Sequence, residues 1–151
     1  MARSAAILLV EDDPNDVLLV KMAFQKSIAG LRIHAVTNGH EAVQYLQGVG
    51  AYADRNANPF PEFVLLDLKM PLMDGFEVLR WIRAQPIIKR LPVIVFSSSL
   101  HEGDATRAYE EGANSFVSKP TDFSKLVQMM KSLGEFWIGA SKVPEASPEG
   151  C

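Results

Sequence analysis

The sequence contains a single cysteine, Cys151, which is also its last residue. No disulfide can therefore form within the chain, and this favours a reducing compartment. Residues 1–6, which precede the first apolar run, are too few for a signal peptide. No apolar run approaches the roughly 20 residues that span a bilayer. We expect a cytoplasmic protein with no membrane partner.

An excess of basic residues is also absent. Lys and Arg total 15 against 18 Asp and Glu, which gives a formal net charge of -3. Nucleic-acid-binding domains usually carry a basic face, so the composition argues against a nucleic-acid partner. His34, His40 and His101 share no metal-ligand spacing. With 151 residues, 48% hydrophobic and 22% charged, the chain has the composition of one globular domain.

Short apolar runs alternate five times with longer segments of helical periodicity. Strands are predicted at residues 7–10, 32–36, 63–67, 92–96 and 114–117. Helices are predicted from Asp13 onward and at residues 40–47, 76–84, 102–111 and 122–137. This alternation predicts an α/β fold with a five-stranded, doubly wound parallel sheet. We expect the strand order 2-1-3-4-5, one of the two common orders of such sheets.

Two segments carry further expectations. Asp13 and Pro14 are typical of a helix N-terminus, and Leu18 and Met22 are expected to widen the apolar face of the helix that follows. Residues 48–62 form a loop longer than most connections in compact domains. We expect a packed surface loop, anchored by aromatic side chains, although a partner surface is the alternative. Tyr52 and Phe60 are the candidate anchors.

Polar residues end four of the five predicted strands. Glu11 and Asp12 follow the first strand, Asp67 closes the third, Ser97 follows the fourth and Lys119 follows the fifth. The carboxyl ends of parallel strands meet at one edge of the sheet, where ligands bind in open α/β folds. Carboxylates, a hydroxyl and a cation at this edge suit a divalent metal and a phosphoryl group.

The same residues define a plausible reaction. Carboxylates that converge repel each other, and Mg²⁺ relieves this because it prefers carboxylate, water and phosphate oxygens. Asp67 is the candidate nucleophile, since its attack on a phosphoryl donor forms an acyl phosphate. Lys119 and Ser97 would neutralise or bond the phosphoryl oxygens. Taken singly, Asp67 is more often a turn or cap residue and Lys119 a surface lysine, so the joint pattern carries this interpretation.

Three segments, residues 7–13, 65–75 and 112–120, resemble the receiver domain of two-component response regulators. The resemblance extends over about residues 5 to 137. It implies the flavodoxin-like fold of the chemotaxis-type receiver. It also implies a phosphoprotein of a phosphorelay, phosphorylated on Asp67 by a sensor histidine kinase.

The resemblance assigns a metal site. It implies Mg²⁺ held by Asp12 and Asp67, with Glu11 assisting and the backbone carbonyl of Lys69 as a further ligand. Lys69 is also a departure from the pattern, because it places a cation beside the phosphate site. Ser99, two residues after Ser97, is the second departure, and both positions tune acyl-phosphate lifetime in the family.

The resemblance also assigns a switch. Ser97 falls on the switch hydroxyl, with Ser98 beside it in the phosphate-contacting segment, and Lys119 falls on the lysine that contacts phosphate. Phe116 falls on the aromatic switch position. The bond between Lys119 and Pro120 is expected to be cis, which an X–Pro bond tolerates at modest cost.

A narrower resemblance is to the single-domain regulators that partner bacterial phytochromes. It depends on the loop at 48–62, on residues 105–114 and on the aromatic ending at 134–137. It implies a receiver domain over residues 1–137, a flexible tail over 138–151 and no output domain. The protein would then pass on its signal by contact with another protein.

Several partners fit such a protein. They are a sensor histidine kinase, a downstream histidine phosphotransfer protein or target, and a second copy bound through helix 4, strand 5 and helix 5. Phe116, Phe136 and Trp137 could support that homodimer, although a packed core position is the alternative for Phe136.

Three rival functions remain open at this stage. A docking protein with a receiver fold that signals without phosphorylation is the first, and the intact acidic set argues against it. The second rival is a phosphohydrolase. Such an enzyme usually has a second Asp two residues after its nucleophile, and Lys69 at that position in this chain argues against it. A flavin carrier would need a phosphate-binding loop after the first strand, where this chain has acidic residues.

Overall fold

The computed structural model describes residues 5–99 and 101–142. Its five strands form one parallel sheet in the order β2-β1-β3-β4-β5, as predicted. The strands are β1 Ala6–Val10, β2 Arg32–Val36, β3 Phe63–Leu66, β4 Val93–Ser97 and β5 Ser115–Ser118. The helices are α1 Pro14–Ser27, α2 Gly39–Gln47, α3 Gly75–Ala84, α4 Glu102–Glu110 and α5 Phe123–Gly134. A 3-10 turn at Gly50–Tyr52 and a π-helical segment at Glu135–Ala140 complete the fold.

The sheet is covered on both faces. Every residue of β1, β3 and β4 is buried, as expected for the central strands of a doubly wound sheet. Side chains alternate along each strand, so Leu8 and Val64 pack in one core layer with α2 and α3, while Ile7 and Leu65 pack in the other with α1 and α5. Burying each such aliphatic side chain contributes about 1.5–3 kcal/mol. The two layers hold the strand ends rigidly.

Helix α1 begins as predicted but buries a different face. The Asp13 carboxylate accepts the backbone N–H of Asn15 at 2.9 Å and caps the helix, with Pro14 as the first helical residue. The buried residues are Val20, Ala23 and Phe24. The expectation that Leu18 and Met22 widen this face is wrong, since they are 56% and 40% exposed. They lie four residues apart on a neighbouring ridge of the helix, outside its contact with the sheet and α5.

The long loop packs on the body of the protein through α2. The Tyr45 hydroxyl donates to the carbonyl of Pro59 at 2.8 Å. The Arg55 guanidinium donates to the carbonyls of Tyr45 and Leu46 at 2.8 and 2.9 Å, and so satisfies the C-terminal end of α2. Tyr52 and Phe60 pack against the core layer beside α2 and α3, which confirms the predicted packed loop.

The C-terminal helix runs past its predicted end. The π-helical segment continues to Ala140, three residues beyond the predicted boundary at Trp137. Phe136 is 54% exposed and meets Trp137 edge-on at 5.0 Å, so the core alternative for Phe136 is wrong. Trp137 packs against the core because it lies on the inward side of this segment. The rest of the predicted tail, 143–151 with Cys151, lies outside the described residues.

Within the described residues, no helix is long and apolar enough to cross a membrane.

Candidate functional site

The acidic strand ends meet at one point of the sheet edge. Glu11 and Asp67, which follow the neighbouring strands β1 and β3, are both buried, and Asp12 is exposed beside them. Each of the three offers a carboxylate oxygen, and these oxygens lie within 4.8 Å of one another. The sequence predicted this convergence from the ends of the strands alone.

Backbone hydrogen bonds fix the positions of these residues. The N–H of Glu11 donates to the carbonyl of Val36 at 3.0 Å, and the N–H of Asp67 donates to that of Val10 at 3.0 Å. Both bonds extend the sheet ladder by one residue, so each carboxylate is held by the strand pairing. One oxygen of Asp67 accepts the N–H of Leu68 at 2.9 Å, while the other, Oδ2, faces Lys119.

Lys119 is held at the centre of the site. Its Nζ lies 2.5 Å from Glu11 Oε1, 2.9 Å from Asp16 Oδ2 and 3.8 Å from Asp67 Oδ2. The backbone N–H of Lys119 donates to the carbonyl of Ser97 at 2.9 Å, which places the base of the side chain beside β4. Asp16 was not predicted from the sequence. The sequence feature that could have indicated Asp16 is its position in the first turn of a helix that begins at the sheet edge.

Burial and charge act against each other in this site. Burial raises the pKa of Glu11 to about 7, despite the hydrogen bond from Lys119 that lowers it. Burial also raises the pKa of Asp67, and the Lys119 charge and the Leu68 N–H oppose this shift. Burial lowers the pKa of Lys119, but its bonds to Glu11 and Asp16 outweigh this and raise it above its usual range. Clustered, partly desolvated carboxylates of this kind fit a divalent cation, which favours their ionised form.

The serines after β4 connect the site to α4. The buried Ser97 hydroxyl accepts the backbone N–H of Ser99 at 3.1 Å. The Ser99 hydroxyl donates in turn to the carboxylate of Asp104 and accepts the N–H of His101 at 3.3 Å. Ser98 is exposed. Ser99, noted in the sequence only as small and polar, therefore anchors the start of α4.

Phe116 lies on the same side of the sheet as the switch serine. It pairs in register with Val95, and it packs half-buried against the core layer beside α2 and α3. Ser97 follows Val95 by two residues, so both side chains point to that face. The structure therefore brings the two predicted switch positions to one face of neighbouring strands.

A tight turn closes the site after β3. The N–H of Gly75 donates to the carbonyl of Leu68 at 2.9 Å, and a Cβ at Gly75 would lie only 2.3 Å from the backbone oxygen of Asp67. Asp74 caps α3 in a reciprocal box with Glu77, whose N–H it accepts at 2.9 Å. Only glycine permits this approach, so Gly75 sets where α3 starts relative to Asp67.

The side chain of Lys69 is exposed at the rim of a cavity. The cavity has a volume of about 370 Å³, and Asp104 and Arg107 of α4 form its opposite side. The Arg107 guanidinium stacks over the Phe76 ring at 3.9 Å.

The predicted cis bond between Lys119 and Pro120 is wrong. Among the described residues no peptide bond is cis. The two isomers of an X–Pro bond differ by only about 0.5–1 kcal/mol, so the local sequence does not determine which isomer is adopted.

Comparisons with known proteins give the family. Residues 7–131 match the model of the response regulator receiver domain. The chain is 34% identical over 140 residues to the response regulator Rcp1 of Synechocystis sp. (strain ATCC 27184 / PCC 6803 / Kazusa), covering 93% of each protein. It is 33% identical over 138 residues to a probable methanogenesis regulatory protein, FilR2, of Methanothrix harundinacea, covering 91% of this chain and 86% of that one.

Solved structures agree with this result. The phosphorylated cyanobacterial phytochrome response regulator RcpA superposes with a TM-score of 0.85 at 36% identity, covering 94% of this chain and 99% of that one. The Mn²⁺-bound form of Rcp1 gives a TM-score of 0.80 at 34% identity, covering 93% and 99%. The family match, the strand order and the acidic edge all agree, and the chain belongs to the receiver domain family of response regulators.

Proposed function

We propose that this protein works as a single-domain response regulator, which accepts a phosphoryl group from a histidine kinase on Asp67. One observation supports the choice of residue above the others. Asp67 Oδ1 accepts a backbone N–H at 2.9 Å, whereas Oδ2 faces the Lys119 ammonium at 3.8 Å. Oδ2 therefore lies beside the ammonium that can balance the charge of an incoming phosphoryl group.

The transfer exchanges one bond for another. An Asp67 carboxylate oxygen attacks the phosphorus of a phosphohistidine, the O–P bond forms, and the P–N bond breaks. The imidazole keeps the bonding electron pair, takes a proton from solvent and leaves neutral. The product is an acyl phosphate, in which the transferred group adds charge at the sheet edge.

The residues around Asp67 have separate tasks. Lys119 Nζ balances charge on a phosphoryl oxygen, and the Ser97 hydroxyl donates to another. A bound Mg²⁺ ion would supply further neutralisation of the phosphoryl charge. Glu11, Asp12 and Asp67 would hold this ion together with the backbone carbonyl of Lys69. The hard, all-oxygen donor set supports Mg²⁺ over softer metals.

Phosphorylation would reach the surface through β4 and β5. If the Ser97 hydroxyl turns toward the phosphoryl group, it gives up the N–H of Ser99 and vacates space that Phe116 can enter. A local charge change then alters the balance between two arrangements of α4, β5 and α5. That surface would bind the next protein, which is a histidine phosphotransfer protein, a target or a second copy of this chain.

We further propose that the protein is cytoplasmic and that its partner kinase is of the phytochrome type. The likeness to Rcp1 and to the phytochrome response regulator RcpA supports it, as does the long loop before β3. Exposed apolar side chains on α1 offer a docking face beside the site, since α1 also carries Asp16. Leu18, Leu19 and Met22 are 56%, 40% and 40% exposed. In this proposal residues 1–137 form the receiver domain.

The deciding experiment is the intact mass of the protein after incubation with acetyl phosphate, with and without Mg²⁺. We expect one phosphoryl adduct that requires Mg²⁺ and is absent from Asp67→Asn. Asp12→Asn should reduce Mg²⁺ affinity at least about ten-fold in calorimetry, by the usual cost of disturbing a metal site. Absence of any adduct with several donors would favour the docking protein that signals without phosphorylation.

A further inference from the structure

Asp16 is the second carboxylate that holds the site lysine. Its Oδ2 lies 2.9 Å from Lys119 Nζ, in a pair whose side chains are only 32% and 13% exposed. The two residues are 103 positions apart in the chain, so the contact is purely tertiary. Neither the strand-end pattern nor the family resemblance assigned Asp16 a role.

A role in capping α1 does not account for this side chain. Asp13 is the N-cap of the helix and binds the N–H of Asn15 at 2.9 Å. In the described part of the chain, the Lys119 ammonium is the hydrogen-bond partner of the Asp16 carboxylate. Asp16 therefore faces the site, although it belongs to the helix surface by sequence.

The other carboxylate on Lys119 has a competing task. Glu11 Oε1 lies 2.5 Å from Nζ, but Glu11 also belongs to the group of carboxylates that could hold a metal, together with Asp12 and Asp67. Asp16 does not belong to that group. A cation that attracts Glu11 would weaken one of the two bonds to Lys119 and leave the other in place.

We propose that Asp16 is a positioning residue that keeps the Lys119 ammonium oriented toward Asp67 during phosphoryl transfer. A lysine side chain has four rotatable bonds and loses much rotamer entropy when it is fixed. Asp16 fixes the ammonium before the donor arrives, so that loss is not added to the barrier of the transfer step. The inference rests on the proposed function, because it concerns the same reaction at Asp67.

The test compares phosphorylation rates with acetyl phosphate at saturating Mg²⁺. Asp16→Ala removes the acceptor, Asp16→Asn keeps an oxygen without the charge, and Asp16→Glu keeps the charge at a longer reach. We expect Asp16→Ala to slow phosphorylation at least five-fold, with Asp16→Asn and Asp16→Glu between Asp16→Ala and the wild type. Glu110→Ala, which removes an exposed carboxylate at the end of α4, is the control and should stay within two-fold of the wild type.

A double-mutant cycle separates positioning from a purely structural effect. If Asp16 acts through the lysine, Asp16→Ala should slow the residual rate of Lys119→Met by less than two-fold. An equal loss in both backgrounds would overturn the inference, and so would single variants that react at the wild-type rate. A wild-type protein that takes up no phosphoryl group would instead overturn the proposed function itself. Melting curves of each variant show whether the compared proteins are folded.

Discussion

The phenolic oxygen of Tyr109 accepts the backbone N–H of Phe116 at 3.2 Å, across the gap between α4 and β5. Phe116 lies in the edge strand of the sheet, where an outward N–H has no neighbouring strand to bond. Helix α4 buries only one residue, Ala108. This bond is therefore one of the few contacts that attach α4 to the strand beside it.

Tyr109→Phe should loosen that attachment without unfolding the protein. The variant keeps the ring and loses the acceptor, at a cost of about 0.5–1.5 kcal/mol typical of one hydrogen bond. We expect the amide proton of Phe116 to exchange several-fold faster, while that of Val95 in β4 keeps its wild-type rate. Hydrogen exchange followed by NMR measures both. Equal exchange at Phe116 in the two proteins would show that the phenol does not protect this edge.

Gly75→Ala should disturb the phosphorylation site through the backbone. The added Cβ would lie 2.3 Å from the Asp67 carbonyl oxygen, so α3 or the end of β3 must move. We expect a loss of about 1–3 kcal/mol in the free energy of unfolding, as for other overpacked positions. Phosphorylation by acetyl phosphate should slow as well.

Gly103→Ala is the matched control for this change. A Cβ there meets nothing within 4 Å, and the residue is in α4. Alanine should stabilise the helix by about 0.5–1 kcal/mol. Urea melts of the two variants should move in opposite directions, and a shared direction would contradict the role given to Gly75.

Lys69→Ala should shorten the life of the acyl phosphate. Lys69 is exposed and follows Asp67 by two residues, so we expect its ammonium to attract the phosphoryl oxygens in the phosphorylated protein. An exposed charge pair is worth about 0.2–1 kcal/mol, which corresponds to decay faster by roughly 1.4- to 5-fold. Decay of the adduct after donor removal, followed by intact mass, measures this rate. Lys89→Ala removes an exposed lysine on another surface and serves as control. An unchanged decay rate would show that Lys69 does not affect the lifetime of the acyl phosphate.

Alkaline pH should weaken the fold through Tyr45. Burial raises the pKa of this hydroxyl from 10.0 to about 12, and the hydroxyl donates to Pro59 at 2.8 Å. A raised pKa in the folded state means that the folded protein binds the proton more tightly than the unfolded chain. Its contribution to stability is complete below pH 10 and is lost as the pH rises to about 12, by about 2–3 kcal/mol.

The matched variant for this pH dependence is Tyr45→Phe. It should be less stable than the wild type by about 1 kcal/mol at pH 7, because one hydrogen bond is lost. The difference should shrink and reverse between pH 10 and 12, since Phe has no proton to lose. Urea melts at five or six pH values test this, and a constant difference would show that Tyr45 does not titrate with unfolding.

Local signals in the sequence were sufficient for the sheet and for most of the site. Five apolar runs of strand length, alternating with helical periodicity, predicted the fold, and the strand order was expected because it is one of the two common orders of such sheets. Glu11, Asp12, Asp67, Ser97 and Lys119 were found because each ends a strand, and parallel strands bring their carboxyl ends to one edge. Caps such as Asp13 were also visible, since they act within one helical turn.

The tertiary structure decided what depends on contacts between distant segments. The position of α5 decides which ridge of α1 packs against the sheet. That packing leaves Leu18 and Met22 exposed. The exposure of Phe136 likewise depends on where the C-terminal segment meets the body of the protein. Asp16 reaches Lys119 only because α1 starts at the same edge of the sheet at which β5 ends. Spacing in the sequence describes one element at a time, whereas these features arise from packing one element against another.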